Sequence, residues 1–399
     1  MTPKNFRKIK LKNGIIVLHE PRSLPIVSLS ITNKFGASFE ESKIKGIAHF
    51  IEHLVFTGTK TRTHEQISGE IEKKGGMLNA FTSHDMTSYH FKLPSRHLFT
   101  GLNILTDMLN NSIFDKEKFE KEKRVILEEI KMYHDVPMRH IHDKIESNLY
   151  EKPFGEGVIG SKETISSLTR DFVSSYFKKA YAPSKFIVSI VGKADVKKVC
   201  SYLEENFKPS SFTLQTPKIK LHNLHSIEER SGIDQAHFMF AIHAPKFTDN
   251  DYYSLDVLDA YLANGMSSRL FLEIREKLGL AYSVQSYLTT EKNFSYYSIY
   301  AGTTKEAIPK IKEIILREFE NIKNMKPSEL KESKERLVGL KKLSSEESSN
   351  VMNALMFHEI VGKAEDYYDY ERKVNLVSLD DVKKVSKLSS YSTAAIVPK

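Results

Sequence analysis

His49-Phe50-Ile51-Glu52-His53 lies at the centre of the run Gly46-Ile47-Ala48-His49-Phe50-Ile51-Glu52-His53-Leu54-Val55-Phe56-Thr57-Gly58-Thr59. The run reads as a helix, and residues four apart on a helix share one face. His49 and His53 therefore stack one turn apart and can present two imidazole nitrogens to a single ion, with Glu52 on the same side. Ile47, Phe50, Ile51, Leu54 and Val55 fall on the opposite side of the wheel. A solvated stripe would carry Lys or several Glu; this one carries metal ligands.

A hydrolytic zinc site takes three protein ligands and leaves one position for water. The chain has one cysteine, Cys200, so any metal must be held by His and carboxylates. The third ligand must come from elsewhere, and residues 115–133 offer it. In that helical pattern the Lys, Arg and Glu residues at 120, 121, 123, 124, 128 and 131 form one broad face, while Phe119, Ile126, Ile130 and Tyr133 mark the inward one. Glu122 and Glu129, two turns apart, fall beside the inward face. A buried carboxylate without a partner is costly, and a nearby cation removes the cost. Glu129 is thus the expected third ligand, and Glu122 the residue that orients a ligating histidine. Each feature has a plainer reading. H-x-x-E-H arises by chance on surface helices, and inward glutamates can pair with buried Lys or Arg. Their coincidence favours the metal. His140 and His142 are two apart, a spacing that suits an extended segment and not one helix face, and His134 lies in a turn-like stretch before Pro137. All three read as structural or exposed.

Around this core the chain alternates strands and helices. Asn13-Gly14 between apolar runs predicts a hairpin. Ile26–Ile31 and Phe186–Val191 read as strands, and a strand pattern runs from Asn79 to Leu93. Helices are predicted near 45–57, 63–74, 96–111, 115–133 and 167–180. After Phe207 the periodicity stops, then the order repeats: a strand near 236–243, helices near 251–262 and 268–277, strands to about 302, helices near 305–322 and 327–340, and a last strand at Ala394–Val397. Ile71-Glu72-Lys73-Lys74-Gly75-Gly76 is echoed by Ile274-Arg275-Glu276-Lys277-Leu278-Gly279. These observations predict an α+β chain of two similar domains, 1–210 and 223–399 joined by a linker at 211–222. Each is a mostly antiparallel sheet covered by helices, and the pair is related by internal duplication.

H-x-x-E-H is the inverted zinc motif. The run from Gly46 to Thr59, and Glu122-Lys123-Arg124-Val125-Ile126-Leu127-Glu128-Glu129-Ile130 downstream, closely resemble the family of pitrilysin, insulin-degrading enzyme and mitochondrial processing peptidase. That resemblance, over nearly the whole chain, implies the short two-domain form and zinc held by His49, His53 and Glu129, with Glu122 in support. Gly76-Met77-Leu78-Asn79-Ala80-Phe81-Thr82-Ser83 resembles the edge strand on which that family lays its substrate. Asn79 and Ala80 match its contact positions, with Phe81 beside them. Ser267–Leu270 through Arg275 to Tyr282-Ser283 resembles the family's arginine–tyrosine pair, so Arg275 and Tyr282 are implied to touch the substrate and the carbonyl under attack. Long members carry four such domains, so the resemblance also implies a homodimer in which Arg275 and Tyr282 are donated in trans.

Together these readings predict a zinc endopeptidase, one Zn2+ per chain, acting on peptides or unfolded segments, with Glu52 as the general base. Two rivals stand beside it: a processing peptidase that needs a non-catalytic partner chain, and a non-enzymatic scaffold subunit of the same fold. Scaffold subunits typically lose the zinc residues, which this chain retains. The 399 residues carry a net charge of +8, with Lys and Glu mixed along most of the length. That mixing argues against a nucleic-acid footprint, which needs clustering on one face. The single cysteine, the lack of an apolar run in Met1–Arg7 and the lack of any membrane-length apolar run lead to the expectation of a cytoplasmic protein with no membrane partner.

Overall fold

The computed structural model describes residues 5–399. Two compact units emerge, and neither is a continuous stretch of chain. The first takes the chain through Lys131, Gly157–Pro217 and Ser344–Tyr368; the second takes Met132–Glu156, Lys218–Leu343 and Asp369–Lys399. A single cut at 211–222 therefore does not separate them, although that passage holds no helix or strand beyond a lone bridge at Leu221.

The first unit is built on a six-stranded sheet of β1 (Arg7–Lys10), β2 (Ile16–Glu20), β3 (Ile26–Asn33), β4 (Met77–Thr82), β5 (Thr87–Pro94) and β6 (Phe186–Gly192), in the order β1-β2-β6-β3-β5-β4. Only β2 and β6 run parallel. The Asn13-Gly14 hairpin forms as read, with Gly14 at φ 91°. Asn79–Leu93 is not one strand but the β4–β5 hairpin, turning at 83–86.

Alternation along β3 sends Val27, Leu29 and Ile31 into the main core and Ser28, Ser30 and Thr32 to the other face. That polar face is also buried. The helix Ser348–Val361 lies on it, and Ser189 Oγ donates to the Met352 carbonyl at 2.9 Å. Small serines let the helix approach closely. Its buried residues are spread around the helix and form no single apolar stripe, so sequence periodicity did not reveal it.

The second unit repeats the plan with β7 (His225–Arg230), β8 (Ala236–His243), β9 (Ala281–Thr290), β10 (Ser295–Thr303) and β11 (Ser392–Pro398), ordered β7-β11-β8-β10-β9. Strand for strand this is β2-β6-β3-β5-β4, and the parallel pair is again the first. Each half of the chain also gives a helix to the other unit. Pro137–Leu149 packs Ile141, Ile145 and Leu149 on the second sheet, as Ser348–Val361 packs on the first. Matched order, matched parallel pair and reciprocal helices define a duplicated α+β fold.

The sequence echo survives in three dimensions with one difference. Gly75 and Gly279 both take positive φ, 74° and 61°, at a helix end before an edge strand. In the first unit the Gly76 amide closes on the Ile71 carbonyl; in the second the Leu280 amide closes on Ile274, one residue further along. The extra residue is taken up because Phe271–Lys277 is a π-helix and not the α-helix expected there.

Candidate metal centre

The helix Ile47–Val55 carries the two histidines, and its start is fixed by two residues. Gly46 sits at φ 93°, where a Cβ would come within 2.6 Å of the Ile159 carbonyl oxygen, so glycine is needed there. Glu40, fully buried, caps the helix from outside: its Oε2 accepts from the Gly46 amide at 2.9 Å and its Oε1 from the Ala48 amide at 2.7 Å. Burial pushes the Glu40 carboxyl up, against the pull of Lys45 and those two amides.

The apolar stripe Ile47, Phe50, Ile51, Leu54 and Val55 is wholly buried. Phe50 stacks on Phe119 with ring centroids 4.8 Å apart, and both rings are at most 1% exposed. Phe119 belongs to the second helix of the site, Lys116–Asp135. Residues seven apart lie on nearly the same helix face, so locking Phe119 in place turns both Glu122 and Glu129 toward the histidines.

The convergence is close. Glu129 Oε2 lies 3.7 Å from His49 Nε2 and 3.6 Å from His53 Nε2. Ligand atoms around a tetrahedral zinc with bonds near 2.0–2.1 Å stand about 3.3 Å apart. Both His–Glu129 separations are within a few tenths of an ångström of that, and the three ligand atoms all lie within 4.8 Å of one another, so the set suits one ion. Glu122 Oε2 accepts from His53 Nδ1 at 3.2 Å, which leaves Nε2 as the lone-pair nitrogen facing Glu129. His49 Nδ1 is buried with no hydrogen-bond partner among the described residues, so packing alone orients that ring.

The electrostatics suit a cation. Burial, aided by His53, drives His49 down to about 3, so its ring is neutral and free to ligate. At His53 burial acts the same way, but the Glu122 hydrogen bond and the charges of Glu129 and Glu52 outweigh it and raise the imidazole. Glu52 is raised by burial, against a hydrogen bond from Thr82 and the charge of His53.

The other sequence-derived positions fall in two places. Asn79, Ala80 and Phe81 lie on β4, the edge of the first sheet, whose neighbour is β5 alone. The Asn79 side-chain oxygen accepts from the Ala80 amide at 2.8 Å and covers an outward group of that edge. Arg275 and Tyr282 lie in the second unit and line a cavity of 400 Å³ with Phe271, Asn264 and Gln285.

Cavity size does not select the site. A larger cavity, 1120 Å³ in the second unit beside Lys323, Lys383 and Tyr391, holds no cluster of three metal-binding side chains among the described residues. The hollow beside Glu52 and His53 is only 340 Å³. A second cluster does exist: His134, His140 and Glu228. His140 and His142 lie on the helix Pro137–Leu149, not on an extended segment as read from sequence. Glu228 is engaged by Lys144 at 2.9 Å and Arg230 at 2.5 Å, and these cations hold it down to about 2 although burial pushes the other way. A dication there would join two existing cations, so the cluster is an ion-pair network.

Sequence reasoning missed Glu40 and Thr82. Nothing local marks Glu40 as a cap. Thr82 was within reach, since alternation from Leu78 and Ala80 puts it on the inner face of β4.

A duplicated α+β scaffold with two histidines and a carboxylate converging beside a further carboxylate defines a metallopeptidase-like centre. Comparison with known proteins agrees. A family model described as insulinase (peptidase family M16) matches residues 16–162, and one described as peptidase M16 inactive domain matches 167–337. An uncharacterized zinc protease of Bacillus subtilis, YmxG, is 31% identical over 98% of both chains, and one from Rickettsia felis is 36% identical over 76% of this chain and 75% of its own. The chain belongs to peptidase family M16, in the two-domain, pitrilysin-like form. In fold it matches a protease from Helicobacter pylori (TM-score 0.92, 23% identity, all of both chains). It also matches a peptidase M16 inactive domain from Pseudomonas fluorescens (TM-score 0.90, 19% identity, 99% of this chain and 98% of that one). Among the described residues no helix is long and apolar enough to cross a membrane.

Proposed function

We propose that the protein is a zinc-dependent endopeptidase that hydrolyses unfolded peptides laid along β4. The observation that carries this reading is the convergence of His49 and His53 on Glu129, 3.7 and 3.6 Å from its Oε2, with Glu52 on the same helix face and an open sheet edge beside it. When bound, the metal supplies Lewis-acid polarisation of a carbonyl and acidifies water. Glu52 takes a proton from the attacking water and gives it to the leaving nitrogen. In balance, hydroxide adds to the carbonyl carbon, the C–N bond breaks and the amine leaves protonated. The outward groups of β4 pair with an extended backbone once the Asn79 side chain releases the Ala80 amide, which selects extended chains with little regard to sequence.

Arg275 and Tyr282 donate to the developing oxyanion from the second copy in a homodimer. Glu52→Gln is expected to retain zinc and lose peptidase activity on a peptide library; normal cleavage by that variant refutes the role given to Glu52. Mixing Glu52→Gln with Tyr282→Phe chains should restore activity that neither has alone, because one site of each mixed dimer is intact. No recovery, in a protein shown by mass to be dimeric, refutes donation in trans.

A further inference from the structure

Glu52 is held by a side chain that the zinc motif does not include. Thr82 is the last residue of β4, and its Oγ1 donates to Glu52 Oε2 at 2.5 Å. Alternation along β4 turns Leu78, Ala80 and Thr82 to the inner face, where Leu78 and Ala80 pack on the core of the first unit. The Thr82 backbone is paired with Thr87 of β5, so the hydroxyl is mounted on the sheet and not on a mobile loop. The two buried hydroxyls nearby, Tyr89 and Tyr181, are bonded to each other at 2.7 Å. A glutamate has three side-chain torsions, and the last is broad and cheap to turn. One donor fixed to Oε2 stops that rotation and leaves Oε1 as the free oxygen.

We propose that Thr82 is a positioning residue for the general base, holding Glu52 Oε2 so that Oε1 meets the attacking water. This rests on the peptidase reading above and deepens it. Thr82 ends the same strand that receives the substrate. A peptide paired along β4 and the carboxylate that handles its proton are thereby set by one rigid element. The hydroxyl donates to Glu52, which is not one of the three metal ligands, so its removal is expected to act on turnover and not on metal or substrate affinity.

The test compares full-length, zinc-loaded wild type with Thr82→Val, Thr82→Ala and Thr82→Ser on an unstructured fluorogenic peptide, alongside zinc affinity by chelator competition. Valine keeps the shape and strand preference and deletes the donor; alanine is a second hydroxyl-free variant. For both, kcat is expected to fall about ten- to one-hundredfold, the range of a hydrogen bond to a charged group. KM and the zinc dissociation constant should stay within about twofold of wild type. Thr82→Ser should return kcat to within about threefold. Hydroxyl-free variants with wild-type kcat, a serine variant as slow as valine, or a loss carried by KM or zinc affinity each overturn the proposal, while an active wild type leaves the peptidase reading standing. A wild-type chain that cleaves no peptide overturns both.

Discussion

Glu122→Gln removes one charge from the site and leaves the length of the side chain unchanged, so it isolates what the carboxylate does for His53. The bond from His53 Nδ1 to Glu122 Oε2 is 3.2 Å long, and the two side chains are 23% and 21% exposed. Hydrogen bonds to charged groups contribute about 1.5–3 kcal/mol, and the strongest are shorter than this one. Partial exposure screens it further. The working figure is therefore about 1.4–2 kcal/mol, or a ten- to thirtyfold loss of zinc affinity, at the lower end of what outer partners of ligating histidines contribute. Glutamine can still accept from Nδ1, so Glu122→Ala should lose more. The assay is competition with a chromophoric chelator near about pH 8, above the ordinary histidine range, so that protons compete little for His53. Glu128, 70% exposed on the same helix and paired with Lys131, supplies the control, and its alanine variant should bind zinc like wild type. A folded Glu122→Ala chain with unchanged zinc affinity would mean that packing alone orients His53, and the reasoning about the site would fail.

Two further outcomes follow from the packing and the buried charges. Phe119→Ala deletes a ring 1% exposed and stacked on Phe50, so it should cost about 3–5 kcal/mol in denaturant unfolding and weaken zinc binding by freeing the two ligand helices; wild-type stability would show that the stack does not join them. Asp256 is lifted to about 6 by burial and by Asp259, against the Tyr370 hydrogen bond and Lys341. Its folded value lies above its unfolded one, so the protonated form is favoured on folding, and its contribution is fully present at low pH and lost as pH rises from about 4 through about 6. Asp256→Asn should gain stability over wild type by about 1–3 kcal/mol at pH 7.5 relative to pH 4, and a pH-independent difference would refute the shift.

What could be read from the residues alone was whatever rests on short-range periodicity. His49, Glu52 and His53 share a face because a helix turns every 3.6 residues, and Glu122 and Glu129 stand out because two acids flank an apolar stripe. The echo between Ile71–Gly76 and Ile274–Gly279 announced the duplicated plan, since a glycine at positive φ marks the same helix-to-strand turn in both halves.

Other features had no local signature. Ser28, Ser30 and Thr32 alternate with apolar residues as a solvent-facing row would, yet they are 0–1% exposed, because a helix from residues 348–361 covers them. The exchange of that helix for Pro137–Leu149 between the units breaks any single domain cut, since contact depends on where the chain returns in space. Glu40 became a helix cap and Thr82 the partner of Glu52 only through tertiary packing. Residue types and spacing could nominate the ligands, but the Phe50–Phe119 stack and the sheet edge set the distances at which they meet, because angular pattern along one helix carries no information about how far away the next one lies.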